Sequence, residues 1–428
     1  MYLNLFTRWI SKIWYSVFGK GLRRSPALPW LVILVLIGLP SLGWYLHRRG
    51  RFATLKRDIK GQQQSTPISI PSPGGMEPIV LERSPTPGIT TPELTSVTIL
   101  PGLGMDVLQL TANVPGRGTT LLLANPTVQE VVDDPAHMHT ALYDTRGAIE
   151  APWGGLLMGL LSPIGTSMTV NWQTHTIQVP TEVVARGVDE AGLLSRSAVD
   201  SQQVTPLADG AVATGVLQSS NFDEHWLSRV DLRVAVQLGA SDLTLILSAK
   251  NTGSAAVPFG VGWHPRFQIP DGNREGTELR LPEGDELEVA NKSTGLPSGR
   301  FVNVPPDLAH MQRHPAAPGS DSILASLVHL KPGLLDSVPA AEFRNPMTGY
   351  GLRLSSPSSN TRALRVIAPA GTNYVSLGLQ TNYDDPFGRE WDGPEGSGIV
   401  TLLPGQSFEW KIRLEIFPIA RHNPANSN

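Results

Sequence analysis

Short runs in which apolar and polar residues alternate recur along most of the chain, and this pattern limits the possible folds more than any other feature. Within residues 232–238 every second residue is Leu or Val, a turn follows at 239–242, and the alternation resumes at Leu243. A period of two is that of a β-strand with one buried face. Two such runs joined by a short turn predict an antiparallel hairpin, and residues 398–417 repeat the arrangement around a Pro-Gly turn.

The composition agrees with an all-β chain. The 428 residues include 42 Gly and 37 Pro, and only 17% are charged, which favours many short strands and turns over long helices. The length is sufficient for one large β domain with appendages. We therefore predict an all-β fold, a large antiparallel β-sandwich over residues 94–420, followed by a disordered tail at 421–428.

The N-terminal region has the features of a membrane anchor. Residues 29–46, PWLVILVLIGLPSLGWYL, carry no charge over a length that can cross a bilayer, and we predict a transmembrane helix there. The basic sequence HRRGR follows at once, where a cleaved signal peptide would have small residues, so we expect the span to be retained.

The segments on either side of this span complete the predicted anchor. Residues 1–28 form a basic amphipathic segment suited to the membrane surface, and residues 47–93 form a tether rich in Pro, Ser and Thr. Lys and Arg flank both ends of the span and do not fix its orientation. By analogy with other tethered domains, we expect a single-pass membrane protein whose large domain is extracytoplasmic.

Several classes of function are disfavoured by the residue content. A net charge of -3 without a basic run beyond residue 60 argues against a nucleic-acid partner. The chain has no cysteine, which excludes disulfides and thiolate chemistry. His137 and His139 would share one face of a strand, but the flanking residues DDPA predict a loop and no third ligand follows, so we expect neither a metal nor a cofactor. We interpret His175, in an alternating run, as a surface strand residue.

A resemblance to a known family begins at residues 249–270, AKNTGSAAVPFGVGWHPRFQIP. A strand ending in Asn-Thr-Gly, then Pro-Phe, then Gly-x-His-Pro-x-Phe resembles the aldose 1-epimerase (galactose mutarotase) family. Further segments resemble that family in the same order, so that the similarity covers about residues 95–420. The resemblance implies a β-sandwich of the supersandwich type. These further segments are APWGG (151–155), LPSGRF (296–301), SDSILASL (320–327), VSLGLQTNYDDPFG (375–388) and the closing strands.

The resemblance also implies a chemistry. Members of the family interconvert the anomers of free aldoses: a glutamate takes the proton of the anomeric hydroxyl while a histidine protonates the ring oxygen. His264 stands at the position of that acid, although a histidine bonded inside the core is the alternative interpretation. Trp263 is suited to stack on a sugar, and it is equally suited to the core. The residues expected to bind substrate are Trp153, Trp263, Asp321, Gln380 and Asp385.

The chain departs from the family pattern at the base. Gly378 stands where the glutamate is expected, and glycine has no side chain that can transfer a proton. Gly155 and Leu156 replace an Asn-Arg pair, and Ala191 replaces a second histidine. We therefore expect a protein that binds a carbohydrate without the family's catalytic base.

Two alternatives remain open at this stage. One is an active isomerase with His264 as acid and a relocated base, taken from Asp384, Asp385 or Glu390, although these carboxylates also suit a solvated turn. The other is a structural domain of the cell envelope that has no sugar ligand.

Overall fold

The structure is a computed structural model, and it describes residues 72–125, 142–143, 149–150, 157–158, 169–178, 193–194, 197–222, 226–291, 296–391 and 396–421. The predicted surface segment and membrane span, and the predicted tail from residue 422 on, lie outside these residues. No helix within the described ranges is long and apolar enough to cross a membrane.

Strands dominate the described part of the chain. In order they are β1 (Ile79–Glu82), β2 (Glu93–Leu100), β3 (Asp106–Val114), β4 (Gly118–Leu121), β5 (Leu142–Tyr143), β6 (Ile149–Glu150), β7 (Leu157–Met158), β8 (Thr169–Trp172), β9 (His175–Gln178), β10 (Ser201–Leu207), β11 (Gly210–Ser220), β12 (Val230–Leu238), β13 (Asp242–Asn251), β14 (Val257–Phe259), β15 (Gly262–Trp263), β16 (Arg266–Gln268), β17 (Glu278–Arg280), β18 (Glu283–Asn291), β19 (Leu296–Val302), β20 (Ile323–Lys331), β21 (Ala340–Asn345), β22 (Tyr350–Ser355), β23 (Ala363–Ala368), β24 (Tyr374–Gln380), β25 (Val400–Leu402) and β26 (Ser407–Pro418). One α-helix, α1 (Pro306–Arg313), and 3₁₀ turns at Pro73–Gly75, Pro101–Leu103 and Pro270–Gly272 complete the elements of these ranges.

Two large antiparallel sheets form the body of the domain. The first sheet has the order β10-β11-β12-β13-β26-β22-β21-β17, and the second has the order β19-β18-β20-β23-β24-β15-β7, with β16 also paired to β24. The predicted hairpin is the pair β12–β13, in which Leu238 lies opposite Leu243. Side chains along β12 alternate between buried and more exposed positions, as the sequence period predicts. The prediction of an all-β antiparallel fold is confirmed.

The inner faces of the two sheets pack on one another. Phe267 of β16 and Phe343 of β21 have ring centroids 5.6 Å apart, which joins the second sheet to the first. Trp410 of β26 and Trp263 of β15 are buried in the same apolar cluster. Since full burial of a large apolar side chain contributes about 1.5–3 kcal/mol, this cluster is the main source of stability of the sandwich.

The folded part begins earlier than residue 94. A four-stranded sheet of order β1-β2-β3-β4 includes β1, which lies inside the segment predicted as a tether. Leu81 of β1 pairs with Val97 of β2 and is 2% exposed. The prolines around β1 obscure the sequence pattern of a short strand, which is stabilised by hydrogen bonds to β2 and by the burial of Leu81 in the main apolar cluster.

Candidate functional site

The break between β15 and β16 places His264 on the outer face of the second sheet. Both strands pair with β24, and the chain between them is His264-Pro265. Consecutive side chains of an extended chain point to opposite faces. Trp263 is 0% exposed within the core between the sheets, whereas His264, on the opposite face, is 6% exposed. Trp263 is therefore a core residue, the second interpretation given above, and it does not offer a sugar platform beside His264.

Gly378 of β24 lies directly beneath the imidazole of His264. A Cβ atom at position 378 would lie 2.1 Å from His264 Cδ2 and 2.4 Å from His264 Cγ, far inside van der Waals contact. The histidine ring thus occupies the space in which any side chain at position 378 would begin. His264 can therefore occupy this position only because residue 378 has no side chain.

Gln380 connects His264 to a buried carboxylate. Gln380 Nε2 donates hydrogen bonds to the carbonyl of Asn382 at 2.8 Å and to Asp384 Oδ1 at 3.0 Å. Gln380 Oε1 is therefore an acceptor, and it lies 3.0 Å from His264 Nε2. Because only a protonated ring nitrogen can donate to it, the network places a proton on His264 Nε2.

Arg365 and Ser326 hold the other side of Asp384. Arg365 lies opposite Gly378 in the β23–β24 pair and opposite Ser326 in the β20–β23 pair, so that the three positions form a row across the sheet. Ser326 Oγ donates to Asp384 Oδ2 at 2.5 Å, and Arg365 Nη1 lies 3.7 Å from Asp384 Oδ1. Both oxygens of Asp384 are therefore engaged, which leaves this carboxylate poorly suited to act as a base.

The environment keeps His264 neutral. Burial, together with the positive charge of Arg365, lowers the pKa of His264 from its ordinary value of 6.5 to about 3, and the hydrogen bond to Gln380 opposes this shift only in part. An efficient acid needs a pKa near the working pH. At neutral pH, His264 has a single N–H, and that N–H is bound to Gln380.

Asp385 and Glu390 form an acidic pair in the loop that follows β24. Burial and then the charges of Glu390 and Asp384 raise the pKa of Asp385 to about 8. Burial also raises the pKa of Glu390. Asp385 has a positive φ of 46°, and its carbonyl accepts hydrogen bonds from the amide of Gly388 and from Trp391 Nε1. Asp385 is therefore held in a tight turn with a carboxyl group that retains its proton near neutral pH.

The remaining predicted residues are not part of this network. Asp321 is exposed at the start of the segment leading into β20, five residues before Ser326, and its carbonyl accepts a hydrogen bond from Arg274. Trp153, Gly155, Leu156, Ala191 and the two histidines at 137 and 139 lie outside the described residues. Within the described ranges no group of three or more His, Asp or Glu side chains is arranged to hold a metal ion. His175 is an exposed residue of β9, as its sequence pattern predicts.

Sequence reasoning missed Arg365 and Ser326, and it missed a group of aromatic side chains on the same face. A signal for Arg365 exists, because it is the single charge in the apolar run ALRVIA. The aromatic group comprises Phe301, His329, Tyr383 and Trp391, whose rings meet although they are far apart in sequence. No local pattern could have predicted that contact.

Comparison with known structures defines the class of this fold. A galactose mutarotase-like protein from Clostridium acetobutylicum superposes with a TM-score of 0.63 at 16% identity, covering 76% of this chain and 93% of that one. A putative aldose 1-epimerase from Escherichia coli K12 gives a TM-score of 0.55 at 17% identity, covering 76% and 96%. The described domain is therefore a galactose mutarotase-like β-sandwich.

The sequence comparisons identify the family. The family model of aldose 1-epimerase matches residues 198–415, slightly more than half of the chain, and this range includes His264, Gly378 and Gln380. This chain belongs to the aldose 1-epimerase family. It is also 23% identical over 190 residues to the uncharacterized protein YphB of Escherichia coli K12, an alignment that covers 42% of this chain and 58% of that protein.

Proposed function

We propose that this protein binds a carbohydrate on the outer face of the second sheet, at the site around His264, and does not interconvert anomers by the mechanism of its family. The observation that carries the proposal is the packing of His264 against Gly378, with 2.1 Å between the ring and a hypothetical Cβ. A glutamate at this position would need the space that the imidazole fills.

The electrostatics of the site support the loss of proton transfer. A positioned general acid or base typically contributes about 10²- to 10⁴-fold to the rate. In this site the base position has no side chain, and the candidate acid is an imidazole whose pKa is lowered to about 3. The family's base is therefore absent, and the histidine at the position of the acid is neutral at neutral pH.

Carbohydrate binding is less sensitive to these losses. Sugar affinity is distributed over several hydrogen bonds and apolar contacts, so it can persist when one proton-transfer group is lost. The outer side of the second sheet retains a buried cluster of polar side chains that includes Arg365, Asp384 and Ser326. Asp385, whose pKa is raised to about 8, adds a carboxyl group that can both donate and accept a hydrogen bond.

A second candidate function is an active isomerase in which Asp385 transfers the proton. The observation in its favour is that the pKa of Asp385, about 8, lies near a neutral working pH, as expected of a general acid or base. A structural envelope domain without a ligand is the third possibility, and absence of sugar binding would support it. We further propose that residues 29–46 anchor the chain in a membrane, with the domain on the extracytoplasmic side.

The direct test combines a binding measurement with polarimetry. The full-length chain is titrated with glucose and galactose by calorimetry. The change in optical rotation of freshly dissolved α-anomers is followed with and without protein. We expect binding without an increase over the spontaneous rate. His264→Ala is compared with His175→Ala, because His175 is an exposed histidine on a separate hairpin.

The other outcomes separate the candidates. Rapid mutarotation by the parent that disappears in Asp385→Asn would establish the isomerase and refute the binding-only proposal. Failure of both sugars to bind would leave the structural interpretation for the His264 site.

A further inference from the structure

An aromatic patch, defined as Phe301, His329, Tyr383 and Trp391, lies on the outer side of the second sheet. The centroid of the Phe301 ring is 4.6 Å from His329, 5.5 Å from Tyr383 and 6.3 Å from Trp391. Tyr383 and Trp391 are themselves 5.4 Å apart. Phe301 is 42% exposed, which is unusual for a large aromatic ring already in contact with three other rings.

The aromatic patch shares a face with the His264 network. Val328 lies two residues beyond Ser326 on β20, and Ala363 lies two residues before Arg365 on β23, so each pair points to the same side of the sheet. Val328, Ala363 and Tyr383 belong to a small apolar cluster that is separate from the main core and that contacts Trp391. The aromatic patch and the polar network are therefore neighbours on one side of the sheet, with the network buried and Phe301 of the patch exposed.

The surface is long. The strand order runs from β24, which carries Gly378, through β23, β20 and β18 to β19, which carries Phe301. Four inter-strand steps of about 4.8 Å separate β24 from β19 by about 19 Å. This distance is much longer than one pyranose ring.

The loop that carries Asp385 and Trp391 is fixed against β19. Gly299 has a φ of +76°, and a Cβ atom there would lie 2.5 Å from the carbonyl oxygen of Glu390, so only glycine allows the loop to approach. Trp391 Nε1 donates to the carbonyl of Asp385 at 2.9 Å, which closes the loop on itself. The backbone of Gly299, Asp385 and Glu390 therefore fixes the position of Trp391 beside Phe301.

A β-bulge places the fourth ring. The register between β18 and β20 shifts between Glu283 and Asp285, and His329, in the bulged stretch of β20, has a φ of 52°. His329 Nδ1 lies 2.8 Å from Asp285 Oδ2, which orients the ring edge-on to Phe301. Bulges that redirect a side chain are common beside functional sites.

We infer that the aromatic patch is a second sugar subsite, and that the ligand is an oligosaccharide of at least two rings, one at the His264 network and one on the patch. This inference rests on the proposed carbohydrate-binding function. Aromatic rings present an apolar face that suits the C–H face of a pyranose. The rings of the aromatic patch contact one another, so they leave no gap between them for a cationic group of the kind that aromatic cages bind.

The test uses the full-length chain and calorimetric titration with glucose, maltotetraose and cellotetraose. We expect at least one tetrasaccharide to bind about tenfold or more tightly than glucose. Phe301→Ala should weaken tetrasaccharide binding about fivefold or more while leaving glucose affinity unchanged. Phe301→Leu, which keeps the apolar bulk and removes the ring, should behave in the same way. Leu334→Ala is the matched control, because Leu334 is a fully exposed apolar residue outside the aromatic patch.

The outcomes distinguish this inference from the proposed function. Equal affinity for glucose and both tetrasaccharides, or an equal loss of all three in Phe301→Ala, would overturn the second subsite and leave the His264 site intact. Tetrasaccharide binding that depends on Phe301 but not on His264, without any glucose binding, would support the subsite and overturn the proposed role of the His264 network. Failure of all three probes to bind would overturn both.

Discussion

The packing of His264 on Gly378 makes a quantitative prediction for the substitution Gly378→Ala. The added methyl group would lie 2.1 Å from His264 Cδ2 and 2.4 Å from His264 Cγ. Because Cγ lies on the Cβ–Cγ bond, rotation about that bond does not move it and does not relieve the overlap. The whole imidazole must therefore leave its position. The hydrogen bond between His264 Nε2 and Gln380 Oε1 would then be lost.

The cost follows from two contributions. Overpacking a close-packed site costs about 1–3 kcal/mol, and a buried polar atom left without a partner costs about 1–3 kcal/mol. The two overlap, because one movement of the ring causes both, so we expect a loss of about 2–3 kcal/mol. The compact unit spans Ile70–Asn428. With an unfolding entropy of about 2.1 cal/mol/K per residue, the thermal midpoint should fall by about 3–4 °C.

A double-mutant cycle isolates the steric contribution. Thermal unfolding of the full-length chain is measured for the parent, Gly378→Ala, His264→Ala and the double variant. Without the imidazole, Gly378→Ala should cost less than about 0.5 kcal/mol, because the methyl group then enters vacated space. An equal cost in both backgrounds would show that His264 does not fill the space above Gly378, and the explanation given for the missing base would be refuted.

Two further predictions concern protonation and anchoring. The pKa of His264 is about 3 in the folded protein and about 6.5 when unfolded, so the unfolded chain binds more protons between these values and stability falls as the pH is lowered from 6.5 toward 3. Between pH 7 and pH 5 His264 should lower the free energy of unfolding by about 2 kcal/mol, and equilibrium unfolding of His264→Gln should not show this decrease. The same pH dependence in the parent and in His264→Gln would contradict the burial of a neutral imidazole. The full-length chain should sediment with membranes after a carbonate wash, whereas a chain that lacks about the first 60 residues should not. Recovery of the full-length chain in the soluble fraction without detergent would exclude the anchor.

The local pattern of the sequence determined the strands and the family motif. Alternation of period two predicted the β12–β13 hairpin because, when one face of a strand is buried, every second residue must be apolar. The Gly-x-His-Pro-x-Phe motif pointed to His264, and the segment VSLGLQ showed that position 378 has no side chain. These features can be predicted from the sequence because each depends on residues within one or two strands.

Only the tertiary structure decided what surrounds His264. Trp263 and His264 are neighbours in sequence, yet the pleat of the strand sends one into the core and the other to the outer face. Asp321, which the sequence predicted as a site residue, lies outside the network, whereas Arg365, which the sequence did not predict, belongs to it. Strand register brings Arg365 into the row with Gly378 and leaves Asp321 five residues from that row. The aromatic patch joins residues 301, 329, 383 and 391 through a bulge and a loop closure. Contacts between residues so distant in the chain depend on how the strands are ordered and registered, and that is settled by the packing of the whole sandwich.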